Sequence, residues 1–229
     1  MKTKMILLTT IAVLTSCTIN QRILYPTKDI QTIQDQELST LVLDIEEFTD
    51  HRKENPDNDI LFTSSKDVVI DGKTRCINSE KNYKIEPVTL QLSKMLVEHL
   101  NVRNSFKKVV LNKKDTADYY IRGDLRNFYG NQKFSTSAAV GAQFGLIGAL
   151  ATAGVKTDGK IVFEINDIII YDKNNNVIKS IGSFKREYVG DFPADAYCWC
   201  MFQNVNIKLK EYFTELIGTV ESEIRNSRN

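Results

Sequence analysis

The chain has 229 residues, with 30 Lys and Arg against 29 Asp and Glu. A hydrophobic share of 42% and a charged share of 26% are those of an ordinary globular domain, which argues against a long disordered chain. The near-neutral balance also excludes the basic footprint of a nucleic-acid-binding surface.

Lys2 and Lys4 form a short positive stretch, followed by an uncharged, mostly apolar run from Met5 to Leu14. Ten residues span only about 15 Å as a helix, half of a hydrocarbon core of about 30 Å. The run therefore reads as the core of an export signal rather than a membrane span. It ends in Leu14-Thr15-Ser16-Cys17, which resembles the lipobox of bacterial lipoprotein precursors: a branched apolar residue, two small residues, then the cysteine to be acylated. That resemblance implies cleavage after residue 16, diacylglycerol on the Cys17 thiol and a fatty acyl chain such as palmitate on the new amine. It implies no cofactor other than this covalent lipid. The alternative is an ordinary secretory signal with a chance cysteine. One acyl chain holds a protein at a membrane only marginally, whereas two or three anchor it stably. Thr18 in place of Asp resembles outer-membrane sorting, facing the periplasm, if the host has two membranes.

Residues 17–39 are polar and without periodicity, and read as a lipidated flexible tether ahead of a single domain over 40–229. Thr40 to Phe48 is the first strand candidate, and residues 49–56 are a charged loop. Short strands around Ile60–Thr63 and Val68–Ile70 suggest a hairpin, with Asp71-Gly72 as a turn signal. Glu86-Pro87 opens a helix whose Leu92, Met95, Leu96 and Leu100 share one buried face, with His99 on it. Phe106 to Leu111 is a short strand. Ala117 to Tyr129 is a longer one, with Tyr119, Ile121 and Leu125 alternating and a change of phase at Phe128 that predicts a bulge.

Ser137 to Val155 carries no charge, and Gly141, Gly145 and Gly148 give it small-residue spacing suited to close helix approach. Three readings stay open: an internal segment packed on the domain, a membrane-contacting segment, and an oligomer contact. Lys160 to Tyr171 is rich in β-branched and aromatic residues. Residues 172–176 form a turn, and Val177 to Tyr188 returns as the hairpin partner. Pro193 is expected to open a final helix reaching about Arg225, with Val205, Leu209, Tyr212, Leu216, Val220 and Ile224 on one face. The predicted class is α+β, with a mixed or antiparallel sheet and two amphipathic helices packed on one face.

Catalytic motifs of the nucleophile-elbow, phosphate-loop, dinucleotide and zinc-protease kinds are absent from the sequence, and the chain reads as a non-enzyme. Cys76, Cys198 and Cys200 leave open a disulfide from Cys76 to either of the others, since Cys198 and Cys200 are too close for an unstrained mutual bridge. Small buried residues are the plainer account of all three. With only His51 and His99 present, a zinc site is not expected. His99 is expected to be a satisfied core residue rather than the partner of a cysteine nucleophile. Asp44, Glu46 and Glu47 are expected to lie on a solvated face, and Asp50 and Arg52 to form a loop charge pair of small value. Phe192, Tyr197, Trp199 and Phe202 are expected to serve core packing, with a partner surface as the sharper alternative.

Phe48-Thr49-Asp50-His51-Arg52, an amphipathic helix, Phe106-Lys107-Lys108-Val109, and residues 117–125 running into Phe128 together resemble the auxiliary lipoproteins of ABC-type lipid-transport systems. They also resemble relatives with a fold like the amino-terminal domain of TolB, over about residues 40–225. The resemblance implies a non-catalytic domain facing the periplasm, an accessory or scaffold component of an envelope transport or assembly complex. It supplies no catalytic residues. Rival readings are a lipid-binding module using 137–155, a pore-forming oligomer resembling curli-secretion lipoproteins, and a thiol-dependent enzyme using Cys198 or Cys200.

Overall fold

The computed structural model describes residues 22–52, 68–70, 73–77, 86–143, 154–194 and 199–228. Residues 1–16, Cys17 and the Ile60–Thr63 strand candidate lie outside the described residues. The chain forms an α+β fold on an open, mixed sheet, with eight strands among the described residues. In order these are β1 (Val42–Ile45), β2 (Thr49–Asp50), β3 (Val68–Ile70), β4 (Lys73–Ile77), helix α1 (Val88–Arg103), β5 (Lys108–Leu111), β6 (Tyr119–Lys133), helix α2 (Thr136–Gln143), β7 (Lys156–Asp172), β8 (Val177–Pro193) and helix α3 (Trp199–Asn226).

The long strand β6 organises the sheet. One edge pairs in parallel with β1 and β2 and, at its far end, antiparallel with β4. The other edge carries β7, which pairs in turn with β8. Beyond β1 lies β5, in parallel. Val68–Ile70 does form a hairpin strand, but its partner is Lys73–Ile77; the Asp71-Gly72 turn signal lies outside the described residues.

The phase change expected at Phe128 is a real bulge: Leu125 pairs with Ile165, yet Asn127 pairs with Glu164, so Arg126 is the extra residue. A compensating bulge in β7 places two residues opposite Gly123, with Asp167 at φ 50°. Alternation therefore turns Ile121, Leu125 and Phe128 to one face, together with Ile161, Phe163, Ile165, Ile168 and Ile170 of β7. All of these are buried in one cluster with the apolar faces of α1 and α3. Gly159 has its place for a steric reason: a Cβ there would stand 2.8 Å from the Asn131 carbonyl oxygen and 2.9 Å from Phe192 Cδ2.

Both long helices lie on that face. Tyr212 of α3 packs its ring 5.5 Å from Phe163 and 5.1 Å from Phe184, and its hydroxyl donates to the Phe184 carbonyl at 2.6 Å. Asn101 of α1 reaches the outer edge of β5, accepting from Val109 N at 3.0 Å and donating to Val109 O at 3.1 Å. One amide thus satisfies both backbone groups of an edge-strand residue. Arg103 and Glu221 join the two helices through a bidentate pair at 2.9 and 3.1 Å, and Ser105 Oγ donates to the same carboxylate at 2.5 Å.

Two expectations fail. Pro193 does not open the last helix but ends β8, because the β7–β8 ladder continues to a Lys156–Pro193 pair. Its carbonyl then accepts from Gln132 Nε2 at 2.8 Å and Asn204 Nδ2 at 2.9 Å. Nor do residues 22–39 form a loose tether: Ile23, Tyr25, Ile30 and Leu38 are all buried in the main core. They constitute a strap laid along the groove between α1 and α3.

Candidate functional site

The strap fixes where the amino-terminal end of the described chain leaves the domain. At its start, Ile23 N donates to Gln91 Oε1 of α1 at 3.0 Å, and Arg22 O accepts from Asn206 Nδ2 of α3 at 3.5 Å. Further along, the Tyr25 hydroxyl and His99 Nδ1 of α1 are 2.8 Å apart, and Asp29 pairs with Lys210 of α3 at 3.6 Å. Ile33 N then donates to the Arg103 carbonyl at 2.8 Å, and Asp35 receives the Arg225 guanidinium. The strap therefore runs parallel to both helices, from their amino-terminal halves to their carboxy-terminal ends.

These contacts divide the molecule into two ends. One end holds Arg22, the starts of α1 and α3, the end of β6, α2, and the Lys156–Pro193 pair. The link is direct, because Asn204 Nδ2 donates to Gln132 Oε1 at 3.1 Å, one half-turn from Asn206. Ser135 Oγ accepts from Ala138 N at 3.1 Å and caps α2 at this end. The opposite end holds the 172–176 turn, the start of β6 and the last turn of α3. Three large apolar side chains are exposed at the first end: Leu24 at 59%, Val140 at 53% and Ile207 at 52%. Beside Leu24 is an open groove of about 340 Å³ lined by Arg22, Ile23, Leu24, Lys94, Met95 and Glu98 among others. Its charged rim is partly self-satisfied, with Lys94 Nζ 2.5 Å from Glu86 Oε1.

The second surface is the sheet face turned away from the helices. There Tyr120 and Tyr171 form a cross-strand pair, stacked with ring centroids 4.7 Å apart and planes within 6°. Lys114 Nζ stands 5.4 Å from the Tyr120 centroid and Arg122 Cζ 5.8 Å from that of Tyr171. Glu46 Oε2 accepts from Arg122 Nε at 2.7 Å. Burial raises the Tyr120 phenol above its ordinary value, with the Glu46 charge adding to the effect, and its hydroxyl donates to Asn175 Oδ1 at 2.8 Å. Each cation already has a ring or a carboxylate, so the array is a rigid surface rather than a vacant binding cleft. The enclosed void under the sheet, lined by Phe48, Leu96, Leu100, Ile121, Ile168, Leu216, Ile217 and Val220, measures about 10 Å³. It is all apolar and no larger than one water.

The residues singled out in the sequence scatter over this frame. Cys17, Gly145, Gly148 and Cys198 lie outside the described residues. Gly141 is buried within α2. Cys76 sits on β4 opposite Gln132, and Cys200 is half-buried in the first turn of α3. These two therefore belong to the same end of the molecule. His99 is fully buried, as expected, and burial, with help from the Arg103 and Lys210 charges, lowers its pKa to about 4. Its Nε2 has no hydrogen-bond partner among the described residues, consistent with a neutral ring.

The acidic trio is not one solvated face. Asp44 is completely buried beneath the β5–β6 connection, where it accepts from Lys113 N at 2.9 Å; burial raises its pKa. Glu46 pairs with Arg122, and Glu47 accepts from the Thr89 hydroxyl at 3.0 Å. Asp50 and Arg52 do pair, Nε to Oδ1 at 2.9 Å, which holds the Asp50 carboxyl below its ordinary range. Phe192 and Phe202 are core residues. Among the described residues no cluster of three metal-ligating side chains is present, and no helix is long and apolar enough to cross a membrane. The strap residues Tyr25 and Arg22 were missed in the sequence; only the apolar Ile23 and Tyr25 flanking Leu24 hinted at them.

No protein-family model matches the chain, and no curated protein matches it significantly. Among solved structures it is similar to protein XCC0632 from Xanthomonas campestris, described by the family model DUF330. The identity is 13% and the TM-score 0.44, over 87% of this chain and 96% of that one.

Proposed function

We propose that this chain is a lipid-anchored, non-catalytic accessory or scaffold protein of a cell-envelope transport or assembly complex. The observation that carries the reading is Leu14-Thr15-Ser16-Cys17 directly after a short apolar run. The anchor sets the location, and the domain presents rigid surfaces to a partner complex that supplies the activity. In a host with two membranes the site is the outer membrane, facing the periplasm. The finer family reading also belongs here: an auxiliary lipoprotein of an ABC-type lipid transporter, with a domain like the amino-terminal domain of TolB. The mixed sheet with α1 and α3 on one face supports it, as does the void between them and the sheet, which holds no more than a water.

The test has two parts. Mass spectrometry of the mature protein should find acyl chains on Cys17, and Cys17→Ala should release the protein from the membrane pellet. Crosslinking in intact cells should then recover a larger complex; recovery of monomer alone would defeat the scaffold role while leaving the anchor intact. A second reading, a lipid-binding or oligomer-forming role for 137–155, is favoured by the absence of charge there and the exposure of Val140. Removing that stretch should then abolish liposome binding by the unlipidated protein.

A further inference from the structure

The anchor and the strap together constrain how the domain stands on its membrane. Only five peptide steps separate Cys17 from Arg22, where the strap begins. Fully extended, they reach about 17 Å at the most. Helix α3 runs on from Asn206, which Arg22 touches, to Asn226, about 30 Å, and the strap lies beside it over that stretch. A lipid on Cys17 therefore cannot be reached by the end bearing the 172–176 turn, whatever path residues 18–21 take.

The reachable end is the one whose surface chemistry suits a bilayer. Leu24, Val140 and Ile207 project there from three different elements, each more than half exposed. Arg22, Lys133 and Lys156 are exposed at the same end, with Glu86 and Glu98 in the groove beside Leu24 and Asp158 and Asp191 two residues farther along β7 and β8. Helix α2 itself carries no charged residue. Exposed apolar side chains with long basic ones at the same end suit a surface that dips into the headgroup region.

Building on the lipid-anchor reading, we propose that this end, marked by Leu24, Val140 and Ile207, rests on the lipid surface that holds Cys17. The domain then stands along α3, with the 172–176 turn and the Tyr120–Tyr171 array held roughly 30 Å away from the bilayer, where a partner complex meets them.

The test uses the full chain in its native membrane. Leu24, Val140, Ile207, Lys173 and Val177, all exposed, are replaced one at a time by the photocrosslinker benzoylphenylalanine. After irradiation, purified protein is analysed by mass for phospholipid adducts. Adducts are expected at 24, 140 and 207 in at least tenfold excess over 173 and 177. Equal yields, an inverted pattern, or protein adducts in place of lipid at 24, 140 and 207 would overturn the orientation. The same spectra report the lipid on Cys17. An orientation that fails in lipidated protein leaves the anchor standing, whereas unlipidated protein removes the anchor and the orientation with it.

Discussion

Acidification should weaken this domain through one buried imidazole. His99 has no exposed surface and is packed among Tyr25 of the strap, Arg103 of its own helix and Lys210 of α3, with Glu98 adjacent. Its pKa falls from 6.5 to about 4 on folding, first through burial and then through the two cations. Between those values the unfolded chain binds a proton that the folded one refuses. Stability is therefore full above about pH 6.5 and declines as pH falls toward 4. At about 1.4 kcal/mol per pH unit the whole effect is about 3.4 kcal/mol, and about 2 kcal/mol of it is already lost at about pH 5. Asp44 works in the opposite sense, because its raised pKa favours the folded form as pH falls, so the comparison must isolate the histidine. Urea unfolding of the wild type and of His99→Gln, at about pH 7.5, 6 and 5, does so. The variant should start less stable yet lose about 2 kcal/mol less across the range. Parallel pH profiles for the two proteins would refute the reasoning.

Other perturbations probe the strap and the sheet. Leu38→Ala removes a side chain with no exposed surface and should cost about 2–5 kcal/mol by chemical denaturation; a cost under about 0.5 kcal/mol would mean the strap is not part of the core. Glu221→Ala leaves the Arg103 guanidinium buried without its carboxylate and should cost about 3–5 kcal/mol, with a double-mutant cycle against Arg103→Ala showing strong coupling. Gly159→Ala places a methyl against backbone at 2.8 Å and should lower the melting temperature more than Gly123→Ala, whose nearest obstacle is the Ile165 Cγ2 methyl at 2.9 Å. Equal shifts for the two alanines would contradict that ranking.

What the sequence announces and what it hides divides along physical lines. The face of α1, the β7–β8 hairpin and the bulge before Phe128 are periodic, so counting residues finds them. The strap has no period: Ile23, Tyr25, Ile30 and Leu38 are buried in the main core, and Ile23, Tyr25 and Asp35 find partners as far away as Gln91, His99 and Arg225. Composition made that stretch look solvated. Asp44 misleads for a related reason, since its cover is the β5–β6 connection and not anything near it in the chain. Pro193 marked an element boundary correctly but belongs to the strand before the boundary. Of the candidate site, the cysteine motif and the charge-free segment were visible, whereas the clustering of Leu24, Val140 and Ile207 at one end depends on three elements meeting.

The strap also dictates an order of assembly. Residues 22–39 leave the ribosome well before α3, yet each is the other's packing surface, tied by contacts such as Asp35 with Arg225 across 190 positions. No amino-terminal fragment can therefore settle into its native state while the rest is being made. Until the last helix arrives, Ile23, Tyr25, Ile30 and Leu38 remain unsheltered. Protease resistance is therefore expected only once α3 is present.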